Sequence, residues 1–353
     1  MDEIVRAASE ALGRALSAPE PLGGSARATV LRCRSSSGTV IVKAYRQDAK
    51  ASFVREAVGL TLASRGPAVL AVDRSYPLIV MSDLGVGPSL ADVLLGSSAD
   101  VARTALLAWA SEYASLAART AADSVTWRRS IADLSLDPSV VPTPLALDFE
   151  EWFVELPPLV EGCGASVAGL GIDLDLVAEL GSIFPVFTPG DVCPDNNVVT
   201  ADDGVRLLDS EGAGLVSAFL AGAYVSMPFA TCWCVFRLPP DLASQLETSF
   251  RAGVAERHPA LVDGALWRRG LDAGQVAWTV HATVALLPRA LGADFLPMHA
   301  VRSPVPTARQ LLRYRWEGMS GQTSFPALAE LGRALLAATA WHVRDLPIYP
   351  ALR

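Results

Sequence analysis

Apolar and polar positions follow two different periods along the chain. From about residue 20 to residue 85, short apolar runs such as TVLRC (29–33) and TVIVKAY (39–45) are separated by turns rich in Gly and Ser. Runs of this length with such turns between them are typical of β-strands joined in hairpins. The pattern therefore predicts a small β-rich unit. The spacing in MDEIVRAASEALGRALS predicts an amphipathic helix before it.

One helix is expected inside this β-rich unit. Phe53 and Ala57 recur near the helical period, and the Arg-Gly-Pro sequence at 65–67 is typical of a helix end. VLAVDRS and YPLIVMSDLG then supply two further strands, and the Gly and Pro residues at 85–88 form a hinge. We therefore predict a first domain at residues 1–84.

The helical period dominates the second predicted domain, residues 85–353. Two short apolar runs around 186–209 interrupt it, and ADDG (201–204) is typical of a hairpin turn. The stretch 212–236 carries no charged residue and is long enough to cross a bilayer of about 30 Å. Its Gly, Ala and Ser content and Pro228 favour a buried core helix over a membrane span.

Composition narrows the classes of partner. The net charge of −8 argues against nucleic acid as a partner and mildly favours cationic ones. The acidic N-terminus lacks the pattern of a secretion signal. Five irregularly spaced cysteines make a disulfide framework unexpected, and the CWC sequence at 232–234 is expected to be core packing. We expect a cytoplasmic protein without a membrane partner; the oligomeric state stays open.

Lys43 is the one charged residue of an apolar strand. A lysine in that position either faces solvent at a sheet edge or is paired. Glu56, on the helix that follows, could lie against the strand and pair with it. A strand lysine held by a helix glutamate is how a kinase directs a positive charge at the nucleotide phosphates.

Acidic and amide side chains with the spacing of a phosphotransfer loop occur in TPGDVCPDNNVV (188–199). Asp191 is the candidate to orient or deprotonate an attacking hydroxyl, and Asn196 follows five residues later. Asp209 ends the next apolar run. Asn196 and Asp209 offer hard oxygen ligands of the kind Mg²⁺ prefers. The alternatives are an Asx-type turn for Asp191 and Asn196 and a helix N-cap for Asp209.

In this order, these residues resemble the aminoglycoside phosphotransferase branch of the protein-kinase-like superfamily. Its catalytic loop, roughly His-Gly-Asp-Leu-His-Pro-x-Asn, corresponds to PGDVCPDN (189–196), and its Ile-Asp-Trp/Phe-Glu motif to LDSE (208–211). Pro189 and Cys193 stand in place of the two histidines. The resemblance implies an α+β, bilobal protein-kinase-like fold with a small β-rich N-lobe and a larger, mainly helical C-lobe. It also implies ATP and Mg²⁺ as cofactors.

The resemblance also extends to the nucleotide. The hinge of the branch is similar to LIVMSDL (78–84), which implies that the Ser82 carbonyl and the Leu84 amide hold the adenine. It further implies that Gly23, Gly24 and Ser25 cover the phosphates.

Three functions fit these residues. The leading one is transfer of the γ-phosphoryl group of ATP to a hydroxyl of a small molecule. The second keeps the chemistry but phosphorylates Ser or Thr of a peptide, for instance in the maturation of a ribosomally made natural product. The third is a pseudokinase that serves as a scaffold or binding subunit, and the replacement at Pro189 motivates it.

Overall fold

A computed structural model describes residues 1–24, 26–63, 66–120, 123–140, 146–200, 204–227, 229, 231–297 and 305–353. These residues form an antiparallel sheet near the N-terminus followed by a larger, mainly helical part. The predicted α+β fold with a small β-rich part and a larger helical part is confirmed. The division of the chain into domains at residue 84 stays a prediction.

The N-terminal sheet has five antiparallel strands in the order β1-β2-β3-β5-β4. Helix α1 packs on one of its faces and α2 on the other. The elements are α1 (Asp2–Leu12), β1 (Ser17–Gly24), β2 (Ala28–Ser35), β3 (Gly38–Tyr45), α2 (Lys50–Leu62), β4 (Val69–Asp73) and β5 (Leu78–Ser82).

Burial on both faces explains why β5 is apolar at successive positions. Leu78 and Val80 lie in the cluster under α1, whereas Ile79 and Met81 lie in the cluster under α2. Successive side chains of a strand point to opposite faces, so a strand covered on both sides loses the polar half of its alternation. By the same alternation, Lys43 on β3 points toward the α2 side.

The sequence pattern did not predict β1. Its sequence, SAPEPLGG, shows no alternation and contains Pro19 and Pro21, which cannot donate to a ladder. β1 is the edge strand beside β2, and prolines are tolerated at a sheet edge. Gly23 and Gly24 are its last two residues and pair with Val30 and Thr29.

The helical part is built around one large core. α4, α8, α9 and α10 enclose buried aromatic side chains that include Trp109, Phe219, Phe250 and Trp267. The helices are α3 (Leu90–Leu94), α4 (Ala99–Arg119), α5 (Ser124–Asp133), α6 (Ala146–Glu161), α7 (Leu170–Ser182), α8 (Ala218–Ser226), α9 (Pro240–Arg257), α10 (Gly264–Gly292), α11 (Ala308–Ser320) and α12 (Pro326–Thr339).

Two small antiparallel ladders lie where the sequence predicted short strands. β6 (Pro185–Thr188) pairs with β9 (Gly214–Ser217), and β7 (Asn197–Val199) pairs with β8 (Val205–Leu207). Residues 201–203 of the predicted hairpin turn lie outside the described residues. The two ladders place the loop after β6 beside the loop after β8.

The described residues of the uncharged stretch 212–236 are mostly buried, but the expectation that the stretch forms one core helix was wrong. It forms β9, then α8, and its described residues from Met227 onward are not helical. β9 is drawn into a ladder with β6, and Ser217 caps α8 by accepting a hydrogen bond from the Phe219 amide. Among the described helices, none is sufficiently long and apolar to cross a bilayer.

Candidate active site

A cleft of about 590 Å³ is lined by the sheet, by the segment after β5 and by the two loops that follow β6 and β8. Val30, Arg32, Ile41 and Lys43 line it from the sheet. The opposite side carries the polar residues that the sequence singled out, namely Asp191, Asn196 and Asp209, together with Glu211. The structure therefore brings the candidate residues of both parts into one cavity.

Lys43 lies at the centre of an ionic network in this cleft. Its side chain is only 8% exposed, and its Nζ lies 2.6 Å from Glu56 Oε2, 3.0 Å from Asp209 Oδ2 and 3.7 Å from Glu211 Oε2. The Tyr45 hydroxyl donates a hydrogen bond to Glu56. The predicted pairing of Lys43 with Glu56 is confirmed, and a buried lysine is tolerated here because carboxylates surround it.

Three carboxyl groups lie around Lys43. Carboxylate oxygens of Glu56, Asp209 and Glu211 all lie within 4.8 Å of one another. Burial raises the pKa of Glu56 to about 8, and the charge of Asp209 adds to this effect. Burial and Asp209 also raise the pKa of Glu211. Hard oxygen ligands are suited to a divalent cation such as Mg²⁺.

Arg27 is a second cation that reaches this network. One of its guanidinium nitrogens lies 2.6 Å from Glu211 Oε1, although the Arg27 side chain is 58% exposed. Arg27 immediately precedes β2, and Glu211 follows β8, so the ion pair links the sheet to the loop that carries Asp209.

Asp191 opens onto the cleft from the loop after β6. Its Oδ1 accepts a hydrogen bond of 3.0 Å from the Cys193 amide, and the Asn196 side chain donates to the Asp191 carbonyl at 3.4 Å. Desolvation by the surrounding protein raises the pKa of the Asp191 carboxyl, although the Cys193 amide opposes that shift. A raised pKa suits a carboxylate that accepts a proton. The Asx-type turn that was the alternative interpretation is thus present, and it holds Asp191 facing the cleft.

Two glycines in contact hold the loop around Pro189 in place. Gly190 has φ 92°, and a Cβ at this position would lie 2.3 Å from the Gly212 carbonyl oxygen. The Gly190 amide donates to Thr188 Oγ1 at 3.1 Å, and the Tyr113 hydroxyl donates to the same oxygen at 3.3 Å. These contacts supply local support for the loop where the motif histidine is replaced by proline.

Hydrogen bonds from two side chains hold the end of the same loop in place. The buried Asn197 amide donates to the carbonyls of Val192 and Cys193, at 3.1 Å for the first. The Trp233 indole donates to the Asp195 carboxylate. The CWC sequence is thus core packing, as expected, and its tryptophan also contacts the loop after β6.

The cysteines behind the loop are buried thiols. Cys193, Cys232 and Cys234 are each at most 9% exposed, and the Sγ atoms of Cys232 and Cys234 lie 3.4 Å apart. All five cysteines of the chain are unpaired.

Substitution of Gly190 by alanine is expected to destabilise the protein more than Gly164→Ala, a matched control. Gly164 has φ 79°, but a Cβ there would meet nothing within 4 Å, so that variant loses only about 1 kcal/mol through backbone strain. Gly190→Ala also forces its loop away from Gly212 and should lose at least about 2 kcal/mol more. Urea denaturation of both variants measures the difference. Equal losses would show that the Gly190–Gly212 contact is loose.

The segment after β5 lines the cleft at Ser82 and Leu84, the two residues expected to hold adenine. The Ser82 hydroxyl accepts a hydrogen bond of 2.8 Å from the Ala68 amide. Of the residues expected to cover the phosphates, Gly24 lines the cleft, Gly23 does not, and Ser25 lies outside the described residues.

Sequence reasoning missed a second ion pair at this end of the cleft. Arg32 Nε lies 2.7 Å from Asp83 Oδ2, and a second Arg32 nitrogen donates to Asp83 Oδ1 at 3.2 Å. The hydrogen bond from Arg32 lowers the pKa of Asp83 against the opposing effect of burial. The alternation of β2 could have predicted that Arg32 lines the cleft. Val30 pairs with Lys43, and Arg32, two positions later on the same strand, points to the same face of the sheet. Arg27 was likewise given no role, and Glu211 was named only as part of the LDSE motif.

Comparison of the sequence with family models finds no match, and neither does comparison with curated proteins. Comparison of structures does find similar folds. A provisionally assigned aminoglycoside phosphotransferase from Ralstonia eutropha JMP134 aligns with a TM-score of 0.51 at 13% identity, over 90% of this chain and 92% of that one. The ethanolamine kinase of Plasmodium vivax aligns with a TM-score of 0.50 at 12% identity, over 93% and 82%.

The chain therefore has a kinase-like α+β fold similar to that of these two proteins, as its motifs indicated. At these identities the likeness is one of fold.

Proposed function

We propose that the chain is an ATP- and Mg²⁺-dependent phosphotransferase whose acceptor is a hydroxyl group of a small molecule. The observation that carries the proposal is the buried contact of Lys43 with both Glu56 and Asp209, in a cleft that Asp191 and Asn196 also line. Ion pairs of this kind assemble a nucleotide site, whereas a scaffold has no need for them. The kinases of similar fold that act on small molecules support the choice of acceptor.

In the proposed reaction, Asp191 orients the acceptor hydroxyl and takes up its proton. The hydroxyl oxygen forms a bond to the γ-phosphorus, the bond from that phosphorus to the bridging oxygen breaks, and ADP leaves. Lys43 holds the phosphates of ATP, and Glu56 keeps the ammonium group in position. Catalysis is then mostly positioning and charge stabilisation.

The carboxylate cluster fits a divalent cation. Asn196 and Asp209 would hold Mg²⁺, and the carboxyl oxygens of Glu56, Asp209 and Glu211, which lie within 4.8 Å of one another, are hard ligands of the kind such an ion prefers. Bound Mg²⁺ supplies neutralisation of the charge that develops on the phosphates during transfer. Ser82 and Leu84 would receive the adenine, and Gly24 with Arg27 would approach the phosphates; all four residues line the cleft.

A thermal-shift titration with ATP, with and without Mg²⁺, tests this function. Saturating ATP with Mg²⁺ is expected to raise the Tm by about 4 °C through mass action, and by less without the metal. Release of ADP in the presence of a library of hydroxyl-bearing small molecules and Ser/Thr peptides then identifies the acceptor. No shift together with no turnover would refute an ATP-dependent enzyme. A shift without turnover on any acceptor would favour the pseudokinase.

A further inference from the structure

A second cavity, of about 260 Å³, lies in the helical part of the protein. It is bounded by α10, by α11 and by the end of α8, and among the described residues it shares no lining residue with the cleft. The polar side chains that line it are Ser226, Arg237, Gln275, Thr279, Tyr314, Arg315, Glu317 and Gln322. Pockets of this size fit small ligands or single groups of larger ones.

Arg315 lines this cavity without a partner. Its side chain is 1% exposed, and within the described part of the chain its Nε, Nη1 and Nη2 have no hydrogen-bond partner. Arginines are almost never fully buried unless they are paired, because an uncompensated charge in the interior is costly. Burial lowers the pKa of Arg315 to about 10, so the guanidinium remains charged at neutral pH.

The surrounding residues do not neutralise this charge. Among the described residues, Glu317 is the one acid that lines the cavity, and its Oε1 accepts a hydrogen bond of 2.8 Å from Arg313 instead. His281, on α10, has a pKa lowered to about 4 by burial and by the charge of Arg315, so it is neutral at physiological pH. Arg237 adds a second, exposed cation at the cavity. The cavity is therefore positive in a chain whose net charge is −8.

We propose that this cavity binds a small molecule through a carboxylate or phosphate group, with the Arg315 guanidinium as its counter-ion. The guanidinium presents planar paired N–H donors that match both groups in a bidentate arrangement. Gln275, Thr279 and Gln322 provide further polar contacts around the anion. Such a site would exist whether or not the cleft transfers phosphate.

The anionic group has two alternative sources, which the experiment below distinguishes. In either case, α8 connects the cavity to the loop of Asp191. The hydroxyl oxygen of Tyr224, on α8, lies 3.8 Å from Cys193 Sγ. Ser226, at the end of the same helix, lines the cavity. The group could belong to the acceptor itself or to a separate anion that occupies the cavity.

The test compares the Tm of the nucleotide-free protein in sodium chloride, sodium phosphate and sodium acetate at equal ionic strength. Phosphate or acetate at about ten times its Kd should raise the wild-type Tm by about 2 °C. Arg315→Met should lose this rise, and its own Tm in chloride should equal or exceed that of the wild type, because the uncompensated buried charge is gone. Arg269→Met, which removes an exposed arginine of α10, should respond like the wild type.

The outcomes separate the proposal from a structural role for Arg315. No rise in the wild type with either anion, or an equal rise in Arg315→Met, overturns the proposal. A variant that keeps the charge, Arg315→Lys, should retain less than half of the phosphate response, and it serves if the methionine variant does not fold.

Turnover distinguishes the two sources once an acceptor is known. An increase of about tenfold in KM for an acidic acceptor in Arg315→Met, with kcat within about twofold, assigns the anionic group to the acceptor. An unchanged KM, combined with loss of the anion-dependent Tm rise, assigns the cavity to a separate anion.

Discussion

Asp191→Asn is expected to reduce the rate of phosphoryl transfer by about a thousandfold while ATP binding is retained. Asparagine still offers an oxygen to the Cys193 amide, which Asp191 Oδ1 accepts at 3.0 Å, so the loop should keep its shape. What is lost is the group that orients the acceptor hydroxyl and receives its proton, and general-base catalysis contributes about 10²- to 10⁴-fold. Steady-state release of ADP in the presence of the acceptor, together with ATP titration by thermal shift, measures both effects.

Asp195→Asn is the matched control for this substitution, because it makes the same chemical change in the same loop. Its amide oxygen can still accept from the Trp233 indole, so activity is expected to stay within about threefold of the wild type. Turnover of Asp191→Asn within about tenfold of the wild type would contradict the role assigned to Asp191.

Asp209→Asn is expected to remove the dependence of ATP affinity on Mg²⁺. It is also expected to reduce turnover by about a thousandfold or more. In the wild type, Asp209 Oδ1 accepts a hydrogen bond of 2.8 Å from the Glu211 amide, and the oxygen of an asparagine side chain can still accept it. It removes a carboxylate charge that would bind the metal, and the amide left behind is a weaker ligand for a hard cation. Titration of ATP with and without Mg²⁺, followed by Tm or by calorimetry, separates the loss of the metal from a loss of nucleotide binding.

Asp73→Asn is a control of similar local geometry. Asp73 is the last residue of β4, whereas Asp209 lies two residues after β8, and like Asp209 it accepts a hydrogen bond of 2.8 Å from the amide two residues later; it does not line the cleft. Its Mg²⁺ dependence and turnover should match those of the wild type. If Asp209→Asn retained a normal response to Mg²⁺, another residue would have to hold the metal, and Glu211 is the nearest candidate.

The central contact of the site could be predicted from the sequence because it rests on local rules. Lys43 in an apolar strand requires a partner, and Glu56 is the acid that the next helix offers. The loop from Asp191 to Asn196 is closed by hydrogen bonds between near neighbours in sequence, so the local sequence also determines its shape.

Other features depend on contacts between segments that lie far apart in the sequence. β1 is held as a strand by its ladder with β2, although its prolines argue against a strand. The stretch 212–236 was expected to be one helix, and pairing with β6 draws its first part into β9 instead. Nothing in the sequence around Arg315 reveals that α10 and α11 would enclose it without a counter-ion, since that depends on the packing of whole helices.

The contact between Gly190 and Gly212 has a consequence for how this protein can change its specificity. Main chain contacts main chain there, so the separation between the loop of Asp191, the proposed proton acceptor, and the loop of Asp209 is set by the backbone. The helices that enclose the second cavity contribute nothing to that contact. Substitutions on α10 and α11 could therefore adapt the chain to a new ligand while the reaction centre stays as it is, which makes these helices the natural place to begin directed evolution.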